Sequence, residues 1–305
     1  MFNIKQLIMS KSKWNDDFLL ALKLNNLEII KSLIETGKVD PSLMFNYAIG
    51  YAAEYGLLEI FKFLLKNERV NPSDAENDAI ILAAENGHLE IVKLLLKDKR
   101  VDPSDRKNKA IRTAAENGHL EIVELFLKDK RVDPSAKKNY AIRLAAENGH
   151  LEIVELLLED ERVDPSDENN YAIRLAAKNG HFEIIELLLE DERVDPSDKI
   201  NNAIMLAAEN GHLEIVKLFL EDKRVDPSDG NNITILVATS NGYIEIVKLL
   251  LNNERVGLSV NIHYIINIAE INRHYDIFIL LKNWKNWYIK SINNYIEIYV
   301  LFIQS

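Results

Sequence analysis

Apolar and polar positions along the chain recur in blocks of 31 residues, and each block reads as two short amphipathic helices. The block from Asn108 to Ser135 serves as the template. Asn108 precedes the run Ala110-Ile111-Arg112-Thr113-Ala114-Ala115, whose apolar spacing predicts a helix with the Asn side chain capping its first turn. Paired alanines have high helix propensity and little bulk, so neighbouring helices can approach closely there. Gly118 ends the helix where the chain needs a left-handed residue. A second helix starts near Leu120, with Glu121 and Glu124 at its positive end and Ile122, Val123, Leu125, Phe126 and Leu127 as its expected buried face. Val132-Asp133-Pro134-Ser135 then stops it, because proline cannot continue a helix and biases its predecessor toward extended geometry. The unit is helix–turn–helix–loop.

The block repeats along the chain. All seven prolines, from Pro41 to Pro227, fall 31 residues apart, and seven of the eleven glycines, from Gly56 to Gly242, keep the same step. The Val-Asp-Pro-Ser phrase begins at Val39, Val101, Val132, Val163, Val194 and Val225, varies at Val70 and decays at Val256. Asn46, Asn77, Asn139, Asn170, Asn201 and Asn232 hold the place of Asn108. Nine units are visible, the first and last degraded. Two short helices cannot bury their apolar faces alone, but stacked units can cover one another. The expected fold is all-α, a stack of about nine units whose length would be roughly 70–90 Å at ~8–10 Å per packing layer. The expected organisation is an N-terminal capping segment over 1–14, repeats over 15–288 and a hydrophobic C-terminal capping helix over 289–305.

The segment Ala83 to Leu96, Ala-Ala-Glu-Asn-Gly-His-Leu-Glu-Ile-Val-Lys-Leu-Leu-Leu, resembles the helix–turn–helix core of the ankyrin repeat. The likeness recurs in seven or eight units over about residues 15–288. It departs from the common pattern of about 33 residues with Thr-Pro-Leu-His at the first helix. Here the period is 31, and Tyr171-Ala172-Ile173-Arg174 or a near equivalent stands in that place. The shortened loop implies a tight turn in place of the family's β-hairpin finger. Short repeats, no Cys, and heavy use of Asn, Ile and Lys are similar to the large ankyrin families of giant DNA viruses of amoebae. The resemblance implies a solenoid, specifically a non-catalytic protein–protein interaction scaffold with shortened loops.

Composition narrows the chemistry further. The absence of Cys excludes disulfides, thiolate metal sites and cysteine nucleophiles, and fits a reducing compartment, so an intracellular, cytoplasmic location is expected. Lys+Arg number 37 against 48 Asp+Glu, a formal charge of −11, which opposes general attraction to nucleic acid or anionic lipid. No apolar run approaches the ~20 residues of a membrane span, and the first residues lack a signal-peptide core. The phosphate-binding, zinc-protease and nucleophile-elbow motifs are missing. His88, His119, His150, His181 and His212 recur in register. Successive layers would hold them ~8–10 Å apart, too far to share a metal whose bonds are about 2 Å, so they read as turn-stabilising residues. No metal and no cofactor are expected.

The repeats align the chain with itself, so positions that vary between units are candidates for recognition. One first-helix register reads Gly50, Ile81, Arg112, Arg143, Arg174, Met205 and Leu236. The adjoining loops carry Arg106, Lys107 and Lys109, then Lys137, Lys138 and Tyr140, then Tyr171. These residues form the candidate partner-binding patch, for an acidic segment of a protein held by bidentate arginine contacts. The competing reading has the arginines bonding loop carbonyls or Asp102, Asp133 and Asp164. Residues 292–303 are apolar almost all round a helix and are a candidate for self-association. Alternatives to a plain scaffold are an adaptor for ubiquitin-ligase-type machinery and a structural or virion component.

Overall fold

The computed structural model describes residues 4–286, which divide into two compact units at Asp164/Pro165. In the first unit ten helices form five pairs: α1 (Ile4–Lys23) with α2 (Leu27–Glu35), α3 (Leu43–Glu54) with α4 (Leu58–Leu65), α5 (Asp74–Glu85) with α6 (Leu89–Lys97), α7 (Asp105–Glu116) with α8 (Leu120–Lys128), and α9 (Ala136–Asn148) with α10 (Leu151–Leu158). First helices pack on first helices, α3 on α5 on α7 on α9, and second helices on second helices, α2 on α4 on α6 on α8 on α10. The second unit repeats this order with α11 (Asp167–Asn179) and α12 (Phe182–Glu190), α13 (Asp198–Glu209) and α14 (Leu213–Glu221), α15 (Asp229–Asn241) and α16 (Ile244–Leu251). A short α17 (Glu254–Ser259) replaces the decayed proline loop, and α18 (Ile262–Ile271) is followed by helical residues 275–286. No strand occurs among the described residues. The expected capping helix at 289–305 and the self-association segment at 292–303 lie outside them.

The core follows the periodicity. Ala110, Ile111, Ala114 and Ala115 of α7 are fully buried, as are Val123 and Phe126 of α8, with Ile122 nearly so. Leu125 and Leu127, expected in the buried face, are only half-buried. Gly118 adopts φ +79°, and its missing Cβ has a second cause besides the backbone. An added Cβ would stand 2.8 Å from Cε1 of His150, whose Nε2 donates to the carbonyl of Glu116 at 2.9 Å. His88 reaches Glu54, His119 reaches Glu85 and His212 reaches Lys178 in the same way. Each histidine therefore fastens one turn onto the preceding one.

The asparagine has a different role from the cap expected of it. Asn77 is buried; its Oδ1 accepts the Asp102 N–H at 2.8 Å and its Nδ2 donates to Asp105 Oδ2 at 2.8 Å, both in the following repeat. The capping expectation fails because Asn77 and its counterparts lie in the left-handed region, turning the amide toward the next loop and away from their own helix. Asn46, Asn170 and Asn201 make the same pair of bonds, and Asn232 meets Ser259 Oγ. The tight turn itself is one left-handed turn of three residues, such as Arg106-Lys107-Asn108 (φ 48°, 58° and 56°). Left-handed L-residues cost roughly 1–2 kcal/mol each. The turn persists because Asp105 Oδ1 accepts the Arg106 N–H, Ser104 O accepts the Asn108 N–H, and the preceding asparagine holds the aspartate.

A third link comes from arginines of the second-helix loop. Arg100, Arg131, Arg162, Arg224 and Arg255 donate through NH1 to the carbonyls of Val70, Val101, Val132, Val194 and Val225, one repeat earlier. Most are gripped by the aspartate two residues before, as Arg162 is by Asp160 through Nε at 2.8 Å and NH2 at 2.6 Å. That hydrogen bond holds the carboxyls of Asp98, Asp129, Asp160, Asp191 and Asp222 below the ordinary range.

Asn77→Ala is expected to lose about 2 kcal/mol of unfolding free energy, because buried backbone and carboxylate groups lose their partner. Ile200, exposed and β-branched at φ 62°, stands in the opposite situation, so Ile200→Gly should gain about 1 kcal/mol. Urea denaturation of both variants decides, and equal midpoints would contradict the account of the loops. The lowered aspartate pKa values make stability present above the unfolded value of about 3.9 and lost as pH falls through the lower folded values. Urea midpoints should therefore drop on acidification below about pH 4, and less steeply in Asp160→Asn.

Candidate functional site

The candidate residues sit on the left-handed loops and on the first helices that follow them. In the first unit, Arg112 projects from α7 with 7% of its surface exposed. Its Nε donates to the carbonyl of Lys107 and its NH2 to that of Arg106, both at 3.1 Å. Burial pulls its pKa down from the ordinary guanidinium value, opposed by Tyr140 and Glu116. Arg143 NH1 donates to the Lys138 carbonyl at 3.1 Å. The Tyr140 ring is near both, its centroid 5.5 Å from the Arg112 guanidinium carbon and 5.0 Å from that of Arg143. The unit thus brings Arg112, Tyr140 and Arg143 together, and the carbonyl bonds of the competing reading are present. An arginine at this register stabilises the turn that leads into its own helix.

Arg106 is engaged elsewhere. Its Nε meets Glu76 Oε2, its NH1 meets Asp78 Oδ1 and its NH2 meets the Ala75 carbonyl, each at 2.8 Å. Lys107, Lys137 and Lys138 are exposed at the loop tips, and Lys109 is half-exposed on α7. In the second unit, Arg174 repeats the design: Nε and NH2 donate to the carbonyls of Asn169 and Glu168, and the guanidinium carbon stands 4.7 Å over Tyr171. Tyr171 and Arg174, with Lys178, Asn202, Glu209, Asn210 and Asn241, line an open cleft of about 590 Å³.

Sequence reasoning passed over a cavity in the first unit. Between α3 and α5 lies a space of about 320 Å³, lined by Tyr47, Gly50, Tyr51 and Glu54 on one side and by Asp74 and Asp78 on the other. Among the described residues nothing lies within 4 Å of where a Gly50 Cβ would point. Tyr47 and Tyr51 of α3 and Tyr55 at its C-cap form a column, with centroids 5.8 Å and 4.4 Å apart. Burial raises the Tyr51 pKa, with Tyr55, Tyr47 and Glu54 adding to the rise. The signal was in the self-alignment: Gly50 replaces a larger residue of its register, and Tyr51 and Tyr55 stand where the next repeat has Leu82 and Asn86.

Among the described residues no group of three or more His, Asp or Glu is arranged to hold a metal, and no helix is long and apolar enough to cross a membrane. Arg112→Ala is expected to lose about 2 kcal/mol of stability, since charged hydrogen bonds to the loop carbonyls go. Lys107→Glu at the exposed tip should change it by no more than about 0.5 kcal/mol. Equal urea midpoints for these two variants would refute the framework role of Arg112.

The family model for ankyrin repeats (3 copies) matches residues 18–107, 111–200, 173–263 and 204–286. This match is to the repeat itself and carries no viral attribution. No curated protein matches the sequence.

Proposed function

The chain belongs to the ankyrin-repeat family, whose members are protein–protein interaction modules and typically non-catalytic, and on that premise we propose that it binds an acidic segment of a partner protein through its loop tips and first-helix groove. The observation that carries this reading is the placement of Lys107, Lys137 and Lys138, exposed on neighbouring left-handed loops beside the Arg112–Tyr140–Arg143 cluster. The chain is acidic as a whole, so a local basic surface selects its partner by complementarity and speeds encounter. Tyrosine and arginine are also the residue types that dominate binding energy at protein interfaces. In the second unit a cleft presents the same residue types, Tyr171, Arg174 and Lys178, with Glu209 also in its wall.

The lysines are the informative probes, because Arg112 and Arg143 bond their own loops. In fluorescence anisotropy with a labelled Asp/Glu-rich peptide, the triple variant Lys107→Glu/Lys137→Glu/Lys138→Glu should bind at least about tenfold more weakly. Wild-type affinity should fall as salt rises. Helicity should be unchanged in the variant. Undiminished binding by the triple variant would remove the acidic-partner reading.

A further inference from the structure

Two repeats of this chain contain a tyrosine with an arginine three residues on, and in both the guanidinium carbon lies over the ring: Arg143 over Tyr140 at 5.0 Å and Arg174 over Tyr171 at 4.7 Å. Tyr47 and Gly50 occupy the same two registers in their own repeat. There the ring remains, 41% exposed, and the cation is missing. Its space is the open cavity of about 320 Å³ between α3 and α5. In the adjacent repeat Ile81 fills the corresponding position and is buried, so the vacancy follows from the glycine and not from the packing of the helices.

The walls of the cavity define what fits. Tyr47 and Tyr51 offer aromatic surface, which attracts a cation over the ring face. Glu54, Asp74 and Asp78 surround it, and among the described residues no Lys or Arg lines it. Asp74 is held by the amides of Asn46 and Asn71, and Asp78 carries Arg106 on one oxygen. The Glu54 side chain is half-exposed and makes no hydrogen bond or ion pair with another described residue. A volume of about 320 Å³ lies at the small end of ligand pockets. That suits one long side chain better than a whole cofactor. A planar guanidinium can stack on tyrosine while donating in parallel to a carboxylate, which an ammonium cannot do.

We infer that the Gly50 cavity is a receptor for a single arginine side chain of a partner protein, stacked on Tyr47 and Tyr51 and paired with Glu54. The inference rests on the scaffold reading but uses none of its lysines. It gives the interaction a polarity: the partner segment presents an arginine to α3 and carboxylates to the loops that follow.

The experiment is an NMR titration of the full chain with the peptide acetyl-Gly-Ser-Arg-Ser-Gly-amide, its citrulline counterpart, and free L-arginine. The arginine peptide should shift the amide resonances of Gly50 and Tyr51. Citrulline has the same shape without the charge and should bind at least about tenfold more weakly. Free arginine should also be weaker, because its own carboxylate faces Glu54 and Asp78. Glu54→Gln should weaken the peptide, and Gly50→Leu and Gly50→Arg should abolish its effect while leaving thermal stability equal or higher. Leu236 and Arg112 show that this register carries both residue types. No shift at Gly50, equal binding of citrulline, or retained binding in Gly50→Leu overturns the receptor. Equal affinity for free arginine overturns the protein occupant. The acidic-peptide assay depends on Lys107, Lys137 and Lys138, so failure of one reading is separable from failure of the other.

Discussion

The structure depends on a buried asparagine that, within each of the two units, reaches from one repeat into the next. One 31-residue unit has two unmet needs: an apolar face to cover, and a loop of three left-handed residues that is unfavourable by itself. Burial is non-directional and would tolerate a slipped neighbour. The Asn77 amide does not tolerate it, since its oxygen must meet the Asp102 N–H and its nitrogen the Asp105 carboxylate at once. That double requirement fixes register between neighbours and also holds the aspartate that supports the left-handed turn. Folding of the loop and stacking of the repeat are therefore one event, which is the nearest-neighbour coupling expected of repeat proteins.

Much of this was legible in the sequence. The 31-residue step, the helix pairs, the glycine turns and the alanine-lined contacts all came from periodicity, because a helix of alternating faces writes its burial directly into residue order. The histidines were rightly read as turn residues. What the order of residues does not contain is the partner of a bond that spans 25, 28 or 30 positions. Asn108 sits where a capping residue belongs and is chemically suited to cap; only its left-handed backbone sends the side chain forward to Asp133. The Arg100 and Arg131 series was equally periodic, but a regularly spaced arginine on an exposed loop looks the same whether it faces water or the Val70 and Val101 carbonyls.

The candidate site shows the same limit from the other side. Variation between repeats pointed to the Arg112 and Arg143 register, and the residues there are indeed unlike their counterparts. Variation alone does not separate a binding residue from one compensating a local change. At Arg112 the guanidinium binds the carbonyls of its own loop, so the departure from an aliphatic residue supports folding. Gly50 varies by subtraction. A deletion of side chain adds no chemistry, so a reading that looks for added groups passes over Gly50 even though the self-alignment displays it, whereas in three dimensions a wall is missing there.

These opposite departures have a common physical root. A stack of near-identical units offers the same surface at every step and so has little means of selecting one partner or one register of binding. Specificity must come from steps that differ. Filling the register with arginine in one repeat and emptying it in another creates positions of unlike charge and shape on a framework that the asparagine, histidine and arginine links hold constant. Those links are made by residues outside this register, even where Asn46 and Asp74 of one link also wall the Gly50 notch, so the register can change residue by residue while the links between repeats are kept. That separation lets a repeat chain with a fixed fold acquire a particular partner.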